Sequence, residues 1–123
     1  MDDPHAAILE AAKRLGALQF GEFTLSSGAK GTYYFDGRLL TLDPEGASLI
    51  ARAFMPILID CSAEAIAGPT LGADPIVAAV AVTSHLQGHP IPGLIVRTQA
   101  KQHGTGRLIE GPLVAGARVA VVD

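Results

Sequence analysis

Asp-Pro occurs three times in the sequence, at Asp3-Pro4, Asp43-Pro44 and Asp74-Pro75, and each pair opens a segment with apolar residues at helical spacing. Asp is a favoured N-cap because its carboxylate accepts hydrogen bonds from the first free amides. Pro suits the first helical position, where its missing N–H would find no partner anyway. Three helix starts follow. The first helix is expected from Pro4 to about Leu15, with Ile8, Leu9, Ala12 and Leu15 on one stripe and Gly16 as its stop. The second starts at Pro44 and turns Leu49, Ile50, Ala53, Phe54, Ile57 and Leu58 toward a core. Pro56 should kink it or end its regular part, since proline removes an internal hydrogen bond. The third, capped by Asp74 and running from Pro75 to about Leu86, is almost all Ala, Val and Ile, so wide burial is expected.

Short apolar runs lie between these helices: Ala65 to Ala67, Leu94 to Val96 and Arg118 to Val122. Continuous runs, as opposed to alternating ones, suit interior strands of a parallel sheet covered on both faces. The expected fold class is therefore α/β, a parallel sheet flanked by helices. An extra antiparallel element is expected from Phe23 to Leu25 and Tyr33 to Phe35, joined by the turn-rich stretch 26–32. The run Val119 to Asp123 reads as a buried strand with no turn or helix after it. Ligand crevices of open parallel sheets lie at the carboxyl ends of strands, so the sequence is expected to be a fragment that stops where a site begins. The alternative is a genuine C-terminus on a sheet strand.

Composition narrows the class. A chain of 123 residues, 49% of them hydrophobic, fits one soluble domain and can build a core without disulfides or metals. Cys61 is the single cysteine, so it forms no intramolecular disulfide; it is expected to be a buried core residue of a protein in the cytoplasm. The longest apolar run, Ile76 to Val82, is far short of the ~20 residues a membrane span needs. The chain also opens with Asp2 and Asp3, so neither a membrane helix nor a secretion signal is expected. A net charge of −3 and the lack of a Lys/Arg run argue against a nucleic-acid surface.

The charges are unevenly spread. Eight of the twelve carboxylates lie within residues 1–60, while Pro75 to Ile109 holds none and carries Arg97, Lys101, Arg107, His85, His89 and His103. An anionic ligand would be least repelled there; the bland reading is chance plus a buried helix. Gly68 to Pro75 is a Gly-bearing turn between a strand and a helix start, the geometry in which backbone N–H groups face an anion. It lacks the Lys and Ser/Thr of a Walker loop, and a simple tight turn would look the same. Arg97 to Arg107 is polar and Gly-rich and follows a strand directly, as a mobile loop would. Lys101 and His103 on such a loop could close over a phosphate-rich substrate, or the loop could be merely solvated. Tyr33-Tyr34-Phe35 holds three of the six aromatics; strand alternation would leave one ring to stack on a planar heterocycle while the others fill core.

In this order the segments resemble the orotate phosphoribosyltransferases of the type I phosphoribosyltransferase family. The resemblance rests on FGEFTLSSGAKGTYYFD at 20–36, AGPTLGADP at 67–75, VRTQAKQHGTG at 96–106, IEG at 109–111 and VAVVD at 119–123. It implies a single incomplete domain, with an N-terminal helix and hood over 1–40 and the first part of the α/β core over 41–123. The implied activity is transfer of ribose 5-phosphate from phosphoribosyl pyrophosphate to orotate in pyrimidine (UMP) synthesis, with Mg2+ held mainly by substrate oxygens. The resemblance assigns Arg97, Lys101 and His103 to pyrophosphate and catalysis. Thr70, Leu71 and Gly72 fall to the pyrophosphate turn, Asp123 to the ribose hydroxyls, and Ser26, Tyr34 and Phe35 to orotate. A homodimer is implied, its loop acting in the neighbouring subunit's site.

The chain departs from the family pattern at four places. Ser26, Gly72 and Thr98 stand where some members have Lys, and Gln102 where Asp is usual. The missing phosphate loop after Asp123 implies little activity for these residues alone. Two other readings compete: a non-catalytic relative that binds a nucleotide or phosphosugar, and a purine-type phosphoribosyltransferase.

Overall fold

The computed structural model describes residues 3–100, 102, 104 and 106–123. The chain divides into two compact units, residues 1–50 and 51–123.

In the first unit, α1 (Pro4–Arg14) starts as its Asp-Pro pair dictates: the Asp3 carboxylate accepts the His5 amide at 3.0 Å. Ala11 and Ala12 are its buried residues, and Leu9 of the expected stripe is exposed. The strands β1 (Leu18–Thr24) and β2 (Lys30–Phe35) form an antiparallel hairpin longer than the one anticipated. A short helix absent from the sequence reading, α2 (Gly37–Thr41), follows, its first turn held by the Asp36 carboxylate on the Arg38 amide. Ala11, Ala12, Ala17 and Leu40 make the small core, with Leu49 and Ile50 packed against it.

Helix α3 (Pro44–Asp60) runs through Pro56 without ending, which leaves the kink as the one of the two expected outcomes that its continuity allows. Its start is secured by Asp43, whose carboxylate accepts the Gly46 amide at 2.9 Å. In the second unit its inward residues are Ala51, Met55 and Leu58, at the i, i+4, i+7 spacing of one face. Ile57, expected inside, is 61% exposed. Cys61 is exposed as well, a correction to its assignment as core; it lies just past the helix end, beyond the last inward position.

The sheet of this unit has the order β5-β4-β3-β6, from β3 (Ala65–Pro69), β4 (Gly93–Val96), β5 (Ile109–Glu110) and β6 (Val119–Val121). β4 and β6 flank β3 in parallel, and β5 runs antiparallel along the outer edge of β4. The sheet is thus mixed, with a two-residue strand too short for sequence periodicity to reveal. Alternation along β3 feeds two cores. Ile66 joins Ala51, Met55, Val77 and Val80 on one face; Ala65 and Ala67 join Leu94 on the other.

Helix α4 (Asp74–Leu86) buries only one side, through Val77, Val80 and Ser84; Val82 and Leu86 are exposed. Wide burial is therefore corrected to a single face. Asp74 is the first helical residue and not the cap, which falls on Ala73. Among the described residues no helix is long and apolar enough to cross a membrane.

Candidate functional site

Strands β3, β4 and β6 run in parallel, so their carboxyl ends come out on the same edge of the sheet. The residues that follow are the turn Thr70–Ala73, Arg97, and Val122 with Asp123. Backbone bonds tie these ends together: the Thr70 amide donates to the Val96 carbonyl at 2.9 Å, and the Val122 amide to the Ala67 carbonyl at 2.8 Å. Gly68 is required by this closeness, since a β-carbon there would run into Ala73 and the Val122 carbonyl. Asp123 consequently stands against the turn, its carboxylate 3.7 Å from where a β-carbon on Gly72 would lie.

The turn offers fewer free amides than the sequence promised. The Thr70, Ala73 and Asp74 amides go to the carbonyls of Val96, Pro69 and Leu71, which leaves Leu71 and Gly72 to meet a ligand among the described residues. The Thr70–Leu71 peptide is cis. The Thr70 hydroxyl donates to Asp74 Oδ2 at 2.6 Å, so toward the cleft it can only accept. That bond explains Asp74, which reaches back to the turn instead of capping the helix. Its other oxygen, Oδ1, is buried without a partner among the described residues.

A cleft of about 630 Å3 opens here, lined by Thr70, Ile95, Arg97, Thr98, Gln99 and Glu110 among others. Arg97 enters it from the end of β4. Its guanidinium is held from two sides, by Glu110 Oε2 at 3.1 Å from Nη1 and by the Gln99 carbonyl at 3.4 Å from Nε. Sequence reasoning had assigned Glu110 no part in the site. Its position depends on β5 pairing with β4; the signals in the sequence were its place just past the anion-free stretch and within the IEG motif at 109–111. Lys101 and His103 lie outside the described residues.

Ser26, Tyr34 and Phe35 belong to the unit of residues 1–50. Ser26 sits in the exposed hairpin turn, where the Leu25 amide donates to the Ala29 carbonyl at 2.8 Å. Tyr33, Tyr34 and Phe35 are all exposed, so none of the three rings fills core as expected. The Tyr34 ring meets Phe23 at 5.8 Å between centroids, tilted by 35°.

No family profile matches the chain. A protein of Streptomyces avermitilis named orotate phosphoribosyltransferase is 40% identical over 123 residues, covering 100% of this chain and 67% of its own length. The chain belongs to the orotate phosphoribosyltransferase family. A Nostoc member is 49% identical over 108 residues, 87% of this chain and 52% of that protein. The chain spans about half the length of that relative. Among solved structures, the Mycobacterium tuberculosis orotate phosphoribosyltransferase in complex with Fe(III) dicitrate superposes with a TM-score of 0.79 at 40% identity, over 97% of this chain and 66% of that one. The same organism's enzyme in complex with 5-phospho-α-D-ribosyl 1-diphosphate gives 0.72 at 35% identity, over 97% and 63%. The fold is thus that of the phosphoribosyltransferases, as the motifs implied.

Proposed function

We propose that the protein is an orotate phosphoribosyltransferase, moving ribose 5-phosphate from phosphoribosyl pyrophosphate to orotate and releasing pyrophosphate and orotidine 5'-monophosphate. One observation carries this reading: Thr70, Arg97 and Asp123 follow three adjacent parallel strands at their carboxyl ends, in a family with a member solved in complex with the donor substrate. As the carbon–nitrogen bond forms at the ribose anomeric carbon, the bond to pyrophosphate breaks and its electron pair leaves with that group. The chain's contribution is to position the two reactants and to meet the charge that leaves. Arg97, with Lys101 and His103 on the following loop, takes the pyrophosphate. The Leu71 and Gly72 amides bind its oxygens, and Asp123 accepts from the ribose hydroxyls. Ser26, Tyr34 and Phe35 hold orotate.

Among the described residues no group of three or more His, Cys, Asp or Glu side chains could hold a metal. The acceptors present suit Mg2+ carried on the substrate's own oxygens: the Thr70 hydroxyl, committed as donor to Asp74, and the Asp123 carboxylate would accept from its water shell. Bound there, the ion would withdraw charge from the leaving group. The proposal extends to a homodimer in the cytoplasm whose loop serves the partner's site. It also treats 1–40 as a helix and hood, and 41–123 as the first part of one catalytic domain.

The test is orotate-dependent release of pyrophosphate by the full-length gene product with magnesium, beside its Lys101→Ala form. A loss of about two to three decades in rate on substitution is expected if Lys101 stabilises leaving charge. Turnover at the native rate would remove Lys101 from the catalytic assignment. Full-length protein that folds but releases no pyrophosphate would favour a binding-only relative.

A further inference from the structure

The segment Ile109-Glu110-Gly111 has no part in the reaction described above, yet the fold delivers one of its side chains into the cleft. Ile95 in β4 and Arg97, the residue just past its end, both line the cleft, as alternation along the extended chain places them on one side. Glu110 is registered opposite Ile95, and the Arg97 amide continues the ladder to the Leu108 carbonyl at 2.8 Å. Glu110 therefore lies diagonal to Arg97 on that side, within reach of its guanidinium. The backbone fixes this placement: at Gly111, with φ of 113°, a β-carbon would come within 2.6 Å of the Gly93 carbonyl oxygen.

The result is a carboxylate that faces a cleft meant for a polyanion. Among the described residues Arg97 is the one Lys or Arg lining the cleft, and Glu110 neutralises it at 3.1 Å. A phosphate group reaching Arg97 meets the Glu110 charge a few ångströms farther on, so it must share the guanidinium against repulsion. The guanidinium has five N–H donors, and its contacts with Glu110 and Gln99 take two of them, so sharing is possible.

Resting on the proposed function, we infer that Glu110 is a positioning residue for Arg97 and an internal competitor of the pyrophosphate group. It aims the guanidinium into the cleft between turnovers, and its charge loosens the anion that the guanidinium holds. Geometry and charge can be separated by substitution. Glu110→Gln keeps an acceptor at the same reach and removes the charge. Glu110→Asp keeps the charge and withdraws it by one methylene from an arginine it no longer reaches.

The experiment is calorimetric titration of the full-length protein and both variants with inorganic pyrophosphate. Glu110→Gln should bind roughly three- to fivefold more tightly, the scale of a half-exposed ion pair, and Glu110→Asp should bind more weakly than the native protein. Weakening in both variants would mean a merely structural role, and no change in either would make Glu110 a bystander; each overturns the inference and leaves the transferase reading standing. Absence of pyrophosphate binding by the native protein would overturn both.

Discussion

The Ser84 hydroxyl is fully buried, accepts the Ile91 amide at 2.8 Å, and shares its one proton between the carbonyls of Ala81 at 2.8 Å and Ile91 at 3.3 Å. It thereby stitches the last turns of α4 to the approach of β4. Ser84→Ala would leave the Ile91 N–H, itself in the core, with no acceptor. The expected cost is about 1–3 kcal/mol, the desolvation of one unpaired buried group, read as a lower midpoint in urea denaturation. An unchanged midpoint would show that the amide finds another partner. The same kind of accounting applies at the cleft, where the Thr70 hydroxyl has given its proton to Asp74 and can offer a ligand only a lone pair.

Among the elements, α3 is the one that breaks a local rule, because Pro56 sits inside its 17 residues. A proline there forfeits one backbone bond and crowds the preceding turn, at a cost near 3 kcal/mol in a free helix. Pro56→Ala should therefore raise the melting temperature, with a gain of about 1–3 kcal/mol after the greater freedom of the unfolded chain is counted. A fall would mean that the proline ring packs usefully. The sequence marked the helices well, because an Asp-Pro start is a local signal with a local cause. It marked the parallel strands for the same reason, since Ala65–Ala67 and Leu94–Val96 are apolar without alternation. What it hid depended on partners distant in the chain. α2 is a five-residue helix and β5 a two-residue strand, each held in place by what surrounds it. Glu110 joins the site through β5, and Asp74 leaves its capping role for Thr70. The outward turn of Ile57 and Cys61 likewise follows from which side of α3 is covered, a fact no window of neighbours contains.

At the scale of the whole molecule the hairpin stands out for what it leaves uncovered. Phe20 is registered opposite Tyr33, so the two rings share a face; they are 68% and 57% exposed, with the Lys13 ammonium 5.8 Å from the Phe20 ring centroid. If the proposed homodimer forms, exposed rings of this kind are where a second copy would dock. Sedimentation velocity over a tenfold concentration range should show self-association of the native chain, and Phe20→Glu should abolish it; concentration-independent behaviour of the native chain would refute the assignment. The topology has a consequence in time as well. β6 reaches β3 only by closing a loop of 54 residues, from Glu64 to Arg118, about twice the separation that brings Gly93 to Ile66. Each doubling adds ~0.6 kcal/mol of loop-closure entropy, whereas a hairpin closes within microseconds. Loop-closure entropy therefore favours pairing of β1 with β2 over the β3–α4–β4 crossover, and that crossover over the pairing of β6 with β3. Until β6 pairs with β3, Asp123 is in solvent while Arg97 already stands at the end of β4, so of the groups proposed for the donor the acceptor for the ribose hydroxyls is the later to reach this edge.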